Sequence, residues 1–195
     1  MKSPAIILAS TSVYRKSLLV RLGLHIECIA PGVDEKELKQ SLSDPIQIAT
    51  SLARAKSEAV FRQMPDAIVI GGDQVATIDG TILDKPGTKK NAARQLHALS
   101  ARTHELITAV CILSPGQKPM EHADISRLAM RPLTKEAIKN YIRLDNPLDC
   151  AGSYKIESAG IALFERIETA DHTAITGLPL IWVVSALTSI GISIP

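Results

Sequence analysis

Short, unbroken apolar runs alternate along this chain with stretches that carry apolar residues at helical spacing, and that interleaving is what most narrows its fold. Ala5 to Ala9, "AIILA", suits a strand covered on both faces. It passes through "STS" into "YRKSLLVRLG", where Leu18, Leu19 and Leu22 mark one helical face until Gly23 stops it. A second strand, "HIECIA", ends at Pro31 and Gly32, which release the chain into an acidic turn at Asp34 and Glu35. Asp44, Pro45 and Gln47 then supply a cap, a proline at the first helical position and a capping-box amide for the helix "IQIATSLARAKSEAVFRQ".

Strands "AIVIGG" and "QVATI" come next, with Asp79-Gly80 as a strong hairpin turn. Thr88 caps the helix "KKNAARQLHAL". Beyond it, "HELITAVCIL" and "MEHADISRLAMR" read as strands joined by "SPGQKP", followed by a helix with Ile138, Tyr141 and Ile142 on one face. "CAGSYKIESAGIALFERIE" reads as strand, loop, strand, and "GLPLIWVVSALTSIG" as a buried terminal helix behind Pro179. The expectation is one mixed α/β domain over residues 1–195, with a shallow division near residue 115.

Composition removes several classes of partner. A net charge of +2 gives no field suited to a nucleic-acid duplex, and three tyrosines, two phenylalanines and one tryptophan are too few for a base-stacking platform. Cys28, Cys111 and Cys150 are an odd, dispersed set with no CxxC pair, which fits a reducing cytoplasm rather than a disulfide framework or zinc ribbon. The longest apolar stretch is about half the ~20 residues that span a bilayer, and the N-terminal apolar run is shorter than a secretory signal, so no membrane segment is expected.

Charge in the stretch "IVIGGDQVATIDGTILDKPGT" is harder to explain by structure alone. Asp73, read at the exit of an apolar strand, either stabilises a turn or orients water and holds a divalent cation. Lys85 follows the next strand of the same hairpin. A return across the turn brings its ammonium toward Asp73, as a simple ion pair or as part of a site for phosphate and its metal. "ASTSVYRK" adds Ser10, Arg15 and Lys16 where a strand hands over to a helix, an arrangement that caps helices routinely and also binds anions. It matches neither GxxxxGK[ST] nor GxGxxG. The five histidines form no HExxH pair, and no GxSxG elbow is present.

Taken together, "LASTSVYRKSLLVRLG", "PGVDE", "ARAKSEA", "IGGDQV", "DGTILDKP" and "LSARTHELITAV" resemble, in order and spacing, the successive blocks of the Maf family of nucleoside triphosphate pyrophosphatases. The resemblance implies a twisted mixed β-sheet with flanking helices in two lobes around a cleft, related to inosine triphosphatase-like proteins. It implies hydrolysis of the α–β phosphate bond of a nucleotide in a house-cleaning role, a divalent metal such as Mg, Mn or Co, and a homodimer. By motif, Asp73 resembles the catalytic acid, Arg15, Lys56 and Lys85 the phosphate-facing cations, and Ser10 and Glu35 matching polar positions, with Glu35 and Asp73 placed to hold metal or water. Tyr14, Gln74 and Glu157 resemble the branch acting on 7-methyl-GTP. The alternatives are the dTTP/UTP branch and a nucleotide-binding module without turnover. Val13 departs from the proline usual after "STS", and Gly72 stands where this branch often has serine.

The physics of a methylated guanine suits those three residues. N7-methylation gives the base a delocalised positive charge, which an aromatic face attracts and a carboxylate attracts further. Tyr14 supplies the first, Glu157 the second, and Gln74 a donor and an acceptor.

Overall fold

Two short strands and a long one, parallel where they pair, begin the sheet of the computed structural model, which describes residues 4–194. β1 (Ile6–Leu8) pairs with β2 (Ile26–Cys28) in the register Ile6↔Ile26 and with β3 (Ile68–Ile78) in the register Ile6↔Ile68. The remaining strands are β4 (Thr81–Leu83), β5 (Thr103–Leu113), β6 (Met120–Met130) and β7 (Phe164–Glu168). Their order is β2-β1-β3-β5-β6-β7, with β4 paired to β3 off that path. The sheet is mixed, as the sequence implied, and the class is α/β.

The chain forms two units that are interleaved along the sequence: residues up to Asp73, Thr108–Asp124 and the segment from Asp171 onward make the first, and Gln74–Ile107 with Ile125–Ala170 the second. Residue 115, where the sequence suggested a shallow division, lies inside a segment of the first unit.

In the first unit, α1 (Val13–Arg21) and α7 (Leu180–Ser189) cover one face of the parallel strands. Leu18, Leu19, Val183 and Leu187 pack there with Leu8, Ile68 and Ile70. α3 (Pro45–Phe61) covers the other face, where Val60 meets Ile7 and Val69. Burying each of these side chains stabilises the fold by about 1.5–3 kcal/mol. Asp44 caps α3 by accepting from Ile46 N at 3.0 Å, with Pro45 at the first helical position.

Asp34 and Glu35 are not a free turn: Asp34 accepts from Lys36 N at 2.9 Å and starts the helix α2 (Glu35–Ser41). Glu35 and Glu37 in its first turn complement the helix dipole, which is why so polar a segment becomes helical.

In the second unit, the β3–β4 hairpin turns at Asp79 (φ 49°) and Gly80 (φ 76°), the left-handed pair that a two-residue hairpin needs. Thr88 caps α4 (Lys89–Leu99) by accepting from Asn91 N at 3.2 Å. α5 (Lys135–Asp145) buries Ile138, Tyr141 and Ile142. Residues 150–163 differ from the strand-loop-strand expectation: 3-10 turns at Ala151–Ser153 and Ala159–Leu163 replace the first strand. Gly152 has φ 76°, and a side chain at Gly160 would meet the Lys155 carbonyl oxygen at 2.3 Å, so this segment is folded tightly on itself. Among the described residues, no helix is long and apolar enough to cross a membrane.

Candidate active site

Two glycines explain how charged groups come to lie against a buried strand. Side chains alternate across β3, so Gly71 and Asp73 share one face and Gly72 takes the other. A methyl group at Gly71 would sit 2.2 Å from Ser57 Oγ and 2.6 Å from the Ala53 carbonyl oxygen, so glycine lets α3 approach closely. Ser57 shares its hydroxyl proton between the carbonyls of Ala53 at 3.1 Å and Cys111 at 2.8 Å.

The neighbouring residue on α3 is Lys56. Its Nζ lies 2.6 Å from Asp73 Oδ1 and 2.6 Å from Glu35 Oε1. Lys56 and Asp73 are each only 6% exposed, whereas Glu35 is exposed. An uncompensated buried charge is very costly, and here each ion of the pair compensates the other. The sequence reading set Asp73 at a strand exit. The structure places it within a single eleven-residue strand, because the Lys56 ammonium allows a carboxylate to be buried there.

Arg15 reaches the opposite face from the first turn of α1, whose cap is Ser12 accepting from Arg15 N at 3.4 Å. Its Nε donates to the Gly177 carbonyl at 3.0 Å and its Nη1 to Ser10 Oγ at 3.4 Å. Ser10 Oγ also accepts from Ser12 N at 3.1 Å. A methyl group at Gly72 would come within 3.3 Å of Arg15 Nε, and one at Gly177 within 3.2 Å of Arg15 Cγ. The guanidinium therefore occupies a slot walled by two glycines, which gives Gly72 a role of its own. Burial pulls the Arg15 guanidinium below its ordinary pKa, while the carboxylates of Asp73 and Glu35 hold it up. An arginine remains a cation under such opposing pressures.

The first unit thus holds two clusters, Ser10 with Arg15 and Lys56 with Glu35 and Asp73, and the carboxylates of the second act electrostatically on the guanidinium of the first. Tyr14 lies beside Arg15 on α1, partly buried. In the second unit, Gln74 continues β3 directly after Asp73. Lys85 is exposed two residues beyond the end of β4. Glu157 is exposed on the turn between the two 3-10 segments. Neither Gly177 nor Asp171, which caps the helix α6 (His172–Thr176), was picked out by sequence. The cap in "DHT" and the stop and restart in "GLP" were the available signals.

Chemically, two cations and two carboxylates in a largely buried setting can hold a polyanion and move a proton. The model of the Maf-like protein family matches residues 5–190. A 7-methyl-GTP pyrophosphatase of Bdellovibrio bacteriovorus is 45% identical over 181 residues, spanning 93% of this chain and 94% of the relative. One from Xanthomonas oryzae pv. oryzae is 44% identical over 192 residues, 98% of this chain and 100% of the relative. Among solved structures, a HAM1 protein from Coxiella burnetii aligns over 96% of this chain and 100% of its own, with a TM-score of 0.48 and 13% identity.

Proposed function

This chain belongs to the Maf family, and from that premise we propose that it hydrolyses the α–β phosphate bond of 7-methyl-GTP, giving 7-methyl-GMP and pyrophosphate. The observation that carries the mechanism is the buried Lys56–Asp73 pair, with Glu35 on the same ammonium. Arg15, with its planar fork of donors, suits phosphate oxygens. Lys56 offers a point charge toward the negative charge that develops as the anhydride breaks. Asp73 is the general base: it takes a proton from water as the water oxygen bonds to phosphorus. The bond to the bridging oxygen then breaks, and its electron pair leaves with pyrophosphate.

A divalent metal belongs to the same reading. Asp73 and Glu35 converge on one point, the Lys56 Nζ, while among the described residues no group of three or more His, Cys, Asp or Glu side chains could hold a metal. Two carboxylates fit an ion that takes one or two protein ligands and completes its shell with water and substrate phosphates, as Mg does, and Asp73 and Glu35 would hold it. When bound, it supplies neutralisation of phosphate oxygens and a more acidic water. For the base, Tyr14 offers an aromatic face, Gln74 a donor and an acceptor, and Glu157 an exposed carboxylate, the chemistry that favours a cationic purine.

The test is product analysis over 7-methyl-GTP, GTP, dTTP and UTP, with and without a chelator. The highest kcat/KM is expected for 7-methyl-GTP, with the monophosphate and pyrophosphate as primary products and no turnover after chelation. Diphosphate and orthophosphate as primary products would refute the bond assignment. A clear preference for dTTP or UTP would move the chain to the other branch.

A further inference from the structure

The Arg15 guanidinium is only as well placed as the Gly177 carbonyl that receives it, and that carbonyl sits on the short link between α6 and α7. The link is held from behind by Asp171, which is 4% exposed. Its Oδ1 accepts from Thr173 N at 2.8 Å and from the Thr173 hydroxyl at 2.6 Å, and its Oδ2 accepts from Ile181 N at 2.7 Å. Thr173 Oγ1 in turn accepts from Leu180 N at 2.9 Å. One carboxylate and one hydroxyl therefore pin both ends of the segment that carries Gly177. Inside it, Gly177 N donates to the Ala174 carbonyl at 2.9 Å, and Thr108 on β5 donates to the same carbonyl at 2.8 Å.

This clamp does work that the α7 terminus cannot do for itself. The amides of Leu180 and Ile181 belong to the first turn, where the helix offers no acceptor, and Pro179 at the cap has no side-chain oxygen. The Asp171 carboxylate meets the Ile181 N–H and the positive end of the helix dipole, and the Thr173 hydroxyl oxygen meets the Leu180 N–H. Gly177 itself has φ 126° and faces Arg15 with no side chain, so a small shift of the link moves the acceptor or closes the slot.

We propose that Asp171 is a positioning residue for phosphate handling, acting through Gly177 on Arg15. The proposal rests on the phosphate role given to Arg15 above. Asp171→Asn keeps the shape but turns a donor toward either Ile181 N or the Thr173 donors, and it should lower kcat/KM for 7-methyl-GTP by roughly 10-fold, the scale of coupled neighbours. A purely structural residue would impose that loss whatever stands at position 15, whereas a residue acting through Arg15 would not.

The experiment is a double-mutant cycle of Asp171→Asn with Arg15→Ala, with folding of each variant checked by circular dichroism. In the Arg15→Ala background, Asp171→Asn is expected to cost less than about 2-fold. Equal factors in both backgrounds would overturn the proposal while leaving the reading of Arg15 intact. An Arg15→Ala enzyme with unchanged kcat/KM would overturn both. Should Asp171→Asn fail to fold, Thr173→Ala and Thr173→Ser give the second arm. The alanine is expected to lose activity in the Arg15 background only, and the serine, which keeps the hydroxyl, to retain it; equal loss in both would count against the proposal.

Discussion

The two units differ in whether the polar side chains they bury include ions. In the first, ions are buried alongside hydroxyls: Lys56 sits 2.6 Å from buried Asp73 and 2.6 Å from exposed Glu35, with Arg15 held between glycines. In the second, the buried polar groups are neutral: His104, 2% exposed, has Nε2 2.9 Å from the Tyr154 hydroxyl and packs edge-on against that ring at 5.4 Å, with Phe164 completing the cluster. Burial alone pushes the His104 pKa down to about 4, so its imidazole is neutral at pH 7. Apolar groups of similar volume often serve stability as well as a buried ion pair does. The four charges near one strand are those of the proposed phosphate site, whereas the aromatic cluster is held by packing and one hydrogen bond, with His104 Nδ1 left without a partner among the described residues.

The sharpest way to break that contrast is to remove one ion. Lys56→Met leaves the Asp73 carboxylate buried without its ammonium and should cost about 3–5 kcal/mol of stability. Adding Asp73→Asn to it should recover much of that loss. Urea unfolding of the single and double variants measures both, and a cost below about 1 kcal/mol for Lys56→Met would mean that the pair is no stronger than a surface contact.

The neutral cluster should instead reveal itself through pH. The unfolded chain takes up a proton at His104 near pH 6.5, and the folded chain does so only near pH 4. Between those values the unfolded state binds more protons, so stability falls as pH falls through the window and is unaffected above it. At pH 4.5 the contribution is about 2–3 kcal/mol relative to pH 7. His104→Gln, which keeps a hydrogen-bonding group for Tyr154, should flatten that part of the curve; a slope equal to wild type would assign the acid sensitivity elsewhere.

Local chemistry was readable from the sequence where it was self-contained. The Asp79-Gly80 hairpin, the Thr88 cap and the Asp44-Pro45 helix start each depend on residues within a few positions, and each stands in the structure. The α2 helix was within reach as well, since Asp34 followed by acidic first-turn residues is a helix start. Other features depend on distant partners. Asp73 continues a strand because Lys56, seventeen residues earlier, neutralises it, and Arg15 is seated by a carbonyl 162 residues away. No window of sequence carries that information. The 150–163 segment failed for a similar reason, because the close approach of Gly160 to Lys155 overrides an alternating pattern.

The proposed proton transfer by Asp73 is tested by single-turnover hydrolysis of 7-methyl-GTP by Asp73→Asn alongside its nucleotide affinity. Asp73→Asn is expected to fold, to bind the nucleotide within a few-fold of wild type and to hydrolyse it slower by a factor on the order of 100 or more, the effect of losing a general base. A folded Asp73→Asn enzyme that turns over at close to the wild-type rate would contradict that role.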